Sequence, residues 1–194
     1  MTSPQRFDLR QIAPQPWKNG AGLTREIAFG GASNTDFDWR ISVAEVARDA
    51  PFSAFPGIDR CITLLRGAGM RLRALDGSID HALTTPLAPF PFPGDIALDS
   101  TLVAGACSDF NVMTRRGRYR GEVSVHRSAA ELTADADITL LLCCSGTWKV
   151  GVETLGPAQA LLWRAPPGSS GLRPVDDAAL LCVVIAQIEP SRGT

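Results

Sequence analysis

The chain has 194 residues, which is enough to bury one large core or two smaller cores that share an interface. Nineteen lysine and arginine residues nearly balance twenty aspartate and glutamate residues, and the formal net charge of −1 argues against a general attraction to nucleic acid or to an anionic membrane. The amino terminus lacks the basic and apolar parts of a secretory signal, and the longest apolar run, at residues 178–186, is too short to span a bilayer. We therefore expect a soluble, cytoplasmic protein that forms one compact body and has no nucleic acid or membrane partner.

Short β-rich runs follow one another along the chain, punctuated by 18 glycines and 14 prolines. No window of a dozen residues has the apolar spacing of an amphipathic helix without containing a glycine or a proline. Two short helical turns are nevertheless predicted, at residues 52–55 and at residues 128–132, where Ser128 and Glu131 can form a capping box. The regular spacing of the runs favours an all-β sandwich or barrel. The predicted strands cover residues 23–29, 39–46, 60–66, 70–75, 96–98, 109–115, 122–126, 138–144, 148–153, 159–163 and 179–188.

A faint internal repeat links residues 62–77 to residues 138–152. Both segments read as an apolar strand, a glycine turn and an alternating strand, and a further apolar strand follows each of them, at residues 95–98 and 159–163. This pattern predicts two barrel-like halves, residues 1–116 and 117–194. The segment from Phe52 to Arg60 has no counterpart in the second half, so we expect any binding site in the first half.

Three polar clusters fall in the first half, besides this segment. In the loop before the first predicted strand, Lys18 and Asn19 stand beside glycines, and Thr24 and Glu26 then share one face of the strand. The lysine precedes the glycines and no helix follows, so the loop is not a phosphate-binding P-loop. In the other two clusters, polar residues likewise alternate along a predicted strand: Arg40 with Ser42, and Asp109 with Asn111. Each of the three clusters has a plain alternative, namely an ordinary turn or a solvated strand face.

Residues 51–66 form the stretch around which the first half is organised. Phe52 and Phe55 are expected to pack beneath a tight turn, which Gly57 permits, and Arg60 then lies where an apolar strand begins. Such a turn presents polar groups at the rim of a rigid scaffold. Residues 86–93, which are rich in proline, are predicted to be a stiff connection over the barrel mouth rather than a polyproline ligand for a partner.

Five multi-residue motifs follow one another in the first half. They are WKNGAGLTREI at residues 17–27, RISVA at 40–44, PFSAFPGIDR at 51–60, FPGD at 92–95 and DFNVMTR at 109–115. Taken in this order, they resemble the HutD/Ves family. The resemblance covers about residues 16–116, whereas the second half is similar only in length and strand pattern. Ala21 stands where the family usually has a third glycine, a change that a small residue should tolerate unless the backbone needs a positive φ.

The resemblance implies a bicupin, that is, two small antiparallel β-barrels of the double-stranded β-helix type in one chain. It also implies a pocket in the amino-terminal barrel that binds a small acidic metabolite of histidine breakdown, formylglutamate being the candidate, with a regulatory role in that pathway. Some relatives are described as stress-induced proteins instead. The carboxyl-terminal barrel is expected to be structural.

The histidine content argues against a metal centre of the kind that many cupins have. Only His81 and His126 are present, they lie in different halves, and neither is in the strand that follows Pro51. The five cysteines lie mostly in apolar runs and are predicted to be buried free thiols, and the adjacent Cys143 and Cys144 would point to opposite faces of a strand. We therefore expect no metal ion and no cofactor.

Without a metal ion, a ligand would be held by fixed charges and polar groups. Arginine and lysine suit carboxylates, whereas hydroxyl and amide groups suit formyl or amide atoms, and nearby carboxylates can pair with some of the cations. The leading hypothesis is a binding protein for an anionic amino-acid derivative, and the alternative is a metal-free cupin isomerase, epimerase or lyase. An interaction module is the third hypothesis, and a homodimer is left open. The candidate site residues are Lys18, Asn19, Thr24, Glu26, Arg40, Ser42, Phe52, Phe55, Arg60, Asp109 and Asn111.

Overall fold

The computed structural model describes residues 3–133, 135–166 and 168–189, and strands and turns make up its regular structure apart from one 3₁₀ turn at Leu9–Gln11. No helix within these ranges is long and apolar enough to cross a membrane. The strands are β1 (Gln5–Asp8), β2 (Gln15–Pro16), β3 (Gly22–Gly31), β4 (Phe37–Val46), β5 (Ala50–Phe52), β6 (Ile58–Arg66), β7 (Met70–Ala74), β8 (Asp80–Leu83), β9 (Pro89–Pro93), β10 (Leu98–Leu102), β11 (Cys107–Arg115), β12 (Tyr119–His126), β13 (Ala130–Leu132), β14 (Ile138–Ser145), β15 (Trp148–Val150), β16 (Glu153–Leu155), β17 (Gln159–Trp163), β18 (Ser170–Pro174) and β19 (Ala179–Gln187).

The chain divides into two compact units. Residues 12–113 form the amino-terminal unit, and residues 3–11 join the described residues from Thr114 onward in the carboxyl-terminal unit. The first strand explains this assignment, because β1 pairs antiparallel with β17, from Gln5 opposite Leu162 to Asp8 opposite Gln159. The predicted halves were residues 1–116 and 117–194. The observed units differ from them chiefly because the segment before Ile12 belongs to the carboxyl-terminal unit.

Two sheets make up the amino-terminal unit. One has six strands in the order β2-β3-β4-β11-β6-β9, and the other has four in the order β5-β10-β7-β8. Alternate residues of β6 and β7 supply the fully buried core side chains Ile62, Leu64, Met70 and Leu72, which pack with Leu98 of β10. The core of this unit is therefore formed by the facing sides of its strands, as the period of two predicts.

The described residues of the carboxyl-terminal unit also form two sheets. Their strand orders are β1-β17-β14-β19-β12 and β13-β18-β15-β16. Its core is built from Trp148 of β15 with Leu141, Leu161, Leu172 and Leu180, all of which are fully buried.

The two units repeat one strand order. The run β4-β11-β6-β9 corresponds to β12-β19-β14-β17, and β5-β10-β7-β8 corresponds to β13-β18-β15-β16. The repeat predicted between residues 62–77 and 138–152 is confirmed at the level of strands, since it matches β6 and β7 with β14 and β15. Its residue register is wrong, because Ile62 corresponds to Leu141 and not to Ile138. The predicted correspondence between the strands at residues 159–163 and 95–98 is also wrong, because β17 (residues 159–163) occupies the place of β9 in the strand order.

The proline-rich segment contains this missed strand. In β9, Pro89, Pro91 and Pro93 alternate with Phe90 and Phe92, and the strand pairs antiparallel with β6 at the edge of its sheet. Proline is compatible with an edge strand when its missing N–H would point away from the neighbouring strand, and here every second amide remains for the ladder. A stiff connection over a barrel mouth was therefore the wrong prediction for residues 89–93.

Both predicted helical turns are wrong. Phe52 ends β5, residues 53–55 have no helical structure, and residues 130–132 form β13, which pairs with β18. Further along, the strand predicted at 148–153 is interrupted by a turn at Gly151 and Val152, and the one predicted at 96–98 begins only at Leu98. Pairing with a distant strand satisfies the backbone groups of such short segments, and local sequence does not reveal that partner.

The cysteine prediction is confirmed. All five thiols are free, with Cys107, Cys143 and Cys182 buried and Cys61 and Cys144 half-buried. Burial raises the pKa of each thiol, to about 11 or about 12, so all five are protonated at neutral pH.

Candidate ligand-binding site

A cavity of about 480 Å³ lies within the amino-terminal unit, against the inner face of its six-stranded sheet. Nine of the eleven residues proposed from sequence line it, and so do seven that were not proposed. The nine are Lys18, Asn19, Thr24, Arg40, Ser42, Phe52, Phe55, Arg60 and Asn111, and the seven are Gln15, Pro16, Trp17, Ala44, Pro51, Ser53 and Met113.

Strand alternation and sheet order bring the polar groups together. The strands β3, β4, β11 and β6 are consecutive neighbours in the sheet, and each contributes to the cavity lining. From β4 and β11 it is alternate residues that line the cavity. Thr24 lies opposite Ala44, and Glu26 lies opposite Ser42, across the ladder between β3 and β4. The sequence indicated which residues share a face, whereas the pairing of the strands places those faces side by side.

Arg60 is the central cation of the site. The residue is only 8% exposed, and its guanidinium carbon lies 5.6, 5.4 and 5.1 Å from the ring centroids of Phe52, Phe55 and Phe92. Its Nη2 donates to Asn111 Oδ1 at 2.8 Å, while Nε finds no acceptor within the described part of the chain. Burial lowers the pKa of Arg60 to about 10, so the side chain remains a cation at neutral pH.

The turn before β6 holds Arg60 in place. Gly57 has φ +73°, and its amide donates to Asp95 Oδ1 at 2.8 Å. The amide of Gly94 donates to Ile58 O at 2.7 Å, and a Cβ on Gly94 would lie 2.7 Å from that oxygen and 3.2 Å from the Arg60 side chain. Glycine at position 94 therefore allows the FPGD segment to pack directly against Arg60.

Asn111 connects Arg60 to a buried carboxyl group. Asn111 Nδ2 makes a short hydrogen bond to Asp109 Oδ1, and Asp109 itself is fully buried and does not line the cavity. Burial raises the pKa of Asp109 to about 7, although the charge of Arg60 and the hydrogen bond from Asn111 act in the opposite direction. Asp109 therefore lies behind the wall of the cavity and is poised to change charge near neutral pH.

A second cation of the wall is paired internally. Arg40 Nε donates to Glu26 Oε2 at 2.9 Å, with the two side chains 17% and 14% exposed, and the guanidinium lies 5.9 Å from the centroid of the Phe37 ring. Glu26 supports Arg40 without lining the cavity. Lys18 is exposed at the opening and forms no ion pair with any residue that the structure describes. The lining therefore carries three cations, of which Glu26 neutralises one.

The loop at residues 17–22 forms one side of the cavity. Trp17 Nε1 donates to Thr24 Oγ1 at 2.7 Å, and the Trp17 ring meets Phe52 edge-on with centroids 5.9 Å apart. Asn19 Oδ1 accepts from the amide of Ala21 at 3.0 Å, which leaves its NH₂ group for a ligand. Trp17 stood within the motif that carries the family resemblance, yet it was not named as a site residue because its position in the motif does not show where its ring points. Ala21 does not have a positive φ, so alanine is compatible with the position.

The donor set does not fit a resident metal ion. Among the described residues no group of three or more His, Cys, Asp and Glu side chains is arranged to hold one. The cavity lining itself offers cationic, amide, hydroxyl and aromatic groups, whereas divalent ions need imidazole or carboxylate ligands.

Comparison with known proteins identifies the family of this chain. The model of the HutD family matches residues 9–181. The chain belongs to the HutD family. Protein Ves from Citrobacter koseri is 37% identical over 160 residues, which cover 81% of this chain and 82% of that protein. The HutD family match extends through most of the carboxyl-terminal unit, well beyond the motifs at residues 17–115.

Solved structures of similar shape support the same assignment. The structure of HutD from Pseudomonas fluorescens SBW25 (formate condition) superposes with a TM-score of 0.86 at 29% identity, covering 96% of this chain and 100% of that one. A cupin 2 conserved barrel domain protein from Leptotrichia buccalis has a TM-score of 0.57 at 8% identity, covering 95% and 98%. This HutD-family chain therefore has an all-β, cupin-like fold.

Proposed function

We propose that this HutD-family protein binds a small anionic amino-acid derivative in the cavity of its amino-terminal unit, and that it does so without a metal ion. The observation that carries the proposal is Arg60, a buried cation on the cavity wall. Among the described residues its Nε has no acceptor and its Nη1 reaches only Ser53 O, at 3.5 Å. A guanidinium with unused donors in a water-poor site favours a carboxylate partner. Membership of the HutD family supports a regulatory role in histidine utilisation or stress response. We propose further that the protein acts in the cytoplasm and that each of its units is a small cupin barrel.

The size and lining of the cavity agree with a small ligand. A volume of about 480 Å³ lies in the range of ligand pockets, roughly 300–1,000 Å³. Aromatic rings line it together with a few polar groups, which is the usual composition of such sites.

The placement of the cations favours a ligand with two acidic ends. Arg60 is buried, Arg40 is half-buried and Lys18 is exposed, so positive charge extends from the interior of the cavity to its opening. Asn19, Ser42 and Asn111 supply amide and hydroxyl groups along the same wall. A dicarboxylic amino-acid derivative such as formylglutamate would use both the inner and the outer cations.

The expected affinity is modest. Two or three charge-assisted hydrogen bonds contribute roughly 1.5–3 kcal/mol each, whereas association costs at least about 4 kcal/mol. The balance is at most about 5 kcal/mol, which corresponds to a Kd on the order of a few tenths of a millimolar or weaker and suits the sensing of an abundant metabolite.

Calorimetry combined with NMR tests the proposal. The purified protein is titrated with N-formylglutamate, glutamate, glutarate and formate, and each mixture is then followed by NMR for conversion of the compound. We expect binding of at least one dicarboxylate without turnover. Turnover would support the metal-free enzyme instead, and the absence of both binding and turnover would leave the interaction module.

Two arginine variants locate the site. Arg60→Ala and Arg40→Ala should each weaken binding without unfolding the protein, because each removes a cation from the cavity wall. Arg66→Ala is the matched control, since Arg66 lies on the same strand as Arg60 but is exposed and outside the cavity lining. If Arg60→Ala and Arg40→Ala bind like the unmodified protein, the site assignment is wrong.

A further inference from the structure

A buried relay of Arg60, Asn111 and Asp109 connects the cavity wall to a carboxyl group behind it. Arg60 Nη2 donates to Asn111 Oδ1 at 2.8 Å, and Asn111 Nδ2 donates to Asp109 Oδ1. Asp109 Oδ2 is buried and has no hydrogen-bond partner among the described residues. The amide of Asn111 is thereby oriented with its oxygen towards the cation and its NH₂ towards the carboxyl group, so the charge of Asp109 acts on Arg60 across a single residue.

Arg60 is the main charged group that acts on Asp109. From β4, Arg40 faces Arg60 and lowers its pKa, but Arg40 is itself paired with Glu26 of β3. On β11, the thiol of Cys107 is protonated, because burial and the nearby Asp109 both raise its pKa. The four-stranded sheet of this unit contributes no buried charged side chain among the described residues. The charge state of Asp109 therefore bears chiefly on Arg60.

We infer that the cavity takes up its anion together with one proton, which Asp109 carries. This inference rests on the proposed function and specifies how the site is regulated. When Asp109 is ionised, its negative charge offsets Arg60 and repels an entering anion. When Asp109 is neutral, the full charge of Arg60 is available to the ligand. Because binding linkage is reciprocal, a bound anion also favours the protonated carboxyl group.

Proton uptake and the pH dependence of affinity test the inference. The probe is N-formylglutamate or glutarate, whichever binds the more tightly. The carboxyl groups of N-formylglutamate stay ionised between pH 6 and pH 8, and those of glutarate are mostly ionised over that range, so its small remaining protonation at pH 6 is subtracted. We expect the apparent Kd to rise about fivefold or more from pH 6 to pH 8, in line with common coupling strengths. Calorimetry near pH 7 in two buffers of different ionisation enthalpy, MOPS and Tris, should show a net uptake of up to one proton per site.

Asp109→Asn separates this coupling from other titrations. Asparagine keeps the shape of the side chain and removes its charge, so the affinity of the variant should vary by less than about twofold over the same range of pH. Asp99→Asn is the control, because Asp99 is exposed on β10 of the same unit and should leave the pH dependence intact. His81→Gln is the second control, because a histidine is the other kind of side chain that can change charge in this range of pH. Burial lowers the pKa of His81, and its ring stacks on Phe90 with the centroids 3.6 Å apart.

Each outcome decides the question. Binding whose affinity does not change with pH, or a pH dependence that persists in Asp109→Asn or disappears in His81→Gln, overturns the inference and leaves the proposed function standing. If none of the anions binds at any pH, the proposed function fails and the inference fails with it. Should Asp109→Asn not fold, the two-buffer calorimetry on the unmodified protein still decides, because the absence of proton uptake near pH 7 contradicts the proposed coupling.

Discussion

The amino-terminal and carboxyl-terminal units repeat one strand order but fill the space between their sheets differently. On the ladder between β6 and β9, Arg60 lies opposite Phe92, while on the corresponding ladder between β14 and β17 the inward pair is Thr139 with Trp163. Trp148 fills the centre of the carboxyl-terminal core and is fully buried. One unit therefore has a polar cavity beside Arg60, whereas the described residues at the corresponding place in the other unit are buried and mostly apolar.

The central strands of the two units show the same contrast. The inward face of β11 carries Asp109 and Asn111, whereas the inward face of β19 carries Leu180, Cys182 and Val184. Among the described residues, the buried charged side chains are Arg60 and Asp109, and both belong to the amino-terminal unit. The shared topology thus does not decide which unit binds a ligand, because that depends on a few inward-facing residues.

The largest expected effect comes from introducing the cation of one unit into the other. Thr139→Arg would bury an unpaired charge in the filled core, and we expect a loss of about 3–5 kcal/mol or more in the free energy of unfolding. Urea denaturation measures the change. Thr139→Val is the matched control and should be close to neutral, because Thr139 Oγ1 has no hydrogen-bond partner among the described residues. A well-folded Thr139→Arg protein of normal stability would contradict the contrast between the two cores.

Removing the central tryptophan tests how closely the carboxyl-terminal core is packed. Trp148→Ala deletes a fully buried ring, and the cost should be about 3–5 kcal/mol in the free energy of unfolding. Hydrogen exchange should show that the lost protection is concentrated in β14, β15 and β19. Val152→Ala, at a fully exposed position in the turn after β15, should change stability by less than about 0.5 kcal/mol. A loss below about 1 kcal/mol for Trp148→Ala would mean that this core is loosely packed.

The stability of the protein should depend on pH through the amino-terminal core. The folded pKa of Asp109, about 7, is above the ordinary value of 3.8, so between these two values the folded state binds more protons than the unfolded state. Stability from this group is therefore present at low pH and lost as pH rises through the window, with a slope of at most about 1.4 kcal/mol per pH unit. Urea denaturation from pH 4 to pH 7 should show this slope, and Asp109→Asn should remove it. Identical pH profiles for the two proteins would show that Asp109 has an ordinary pKa.

The smallest effect is expected at the loop beside the cavity. Trp17→Phe keeps an aromatic ring near Phe52 but removes the hydrogen bond to Thr24, which is worth about 0.5–1.5 kcal/mol. We expect a loss of that size in stability and a few-fold rise in the Kd of a bound dicarboxylate. Thermal unfolding and calorimetry measure the two changes. An unchanged Kd would indicate that the loop does not shape the binding site.

Much of the fold and part of the site follow from local sequence patterns. The alternation of polar and apolar residues predicted β3, β4, β6, β7 and β11 to within about two residues at each end. It also predicted which candidate residues share a face, because successive side chains of a strand point to opposite sides. The turn at Gly57 and the repeat between the units were visible for the same reason, since each depends on residues that are near one another in the chain.

The neighbours and the burial of these groups depend on how the strands pack in three dimensions. This packing pairs Arg40 with Glu26, places Asp109 behind the wall of the cavity, and joins β1 to β17 across more than 150 residues. Strand order and pairing are non-local, and the pKa of a carboxyl group depends on how far water is excluded from it. Local residue patterns therefore indicate an all-β chain with a cluster of cations in one half, whereas the packing of the sheets sets which of those cations remain available to a ligand.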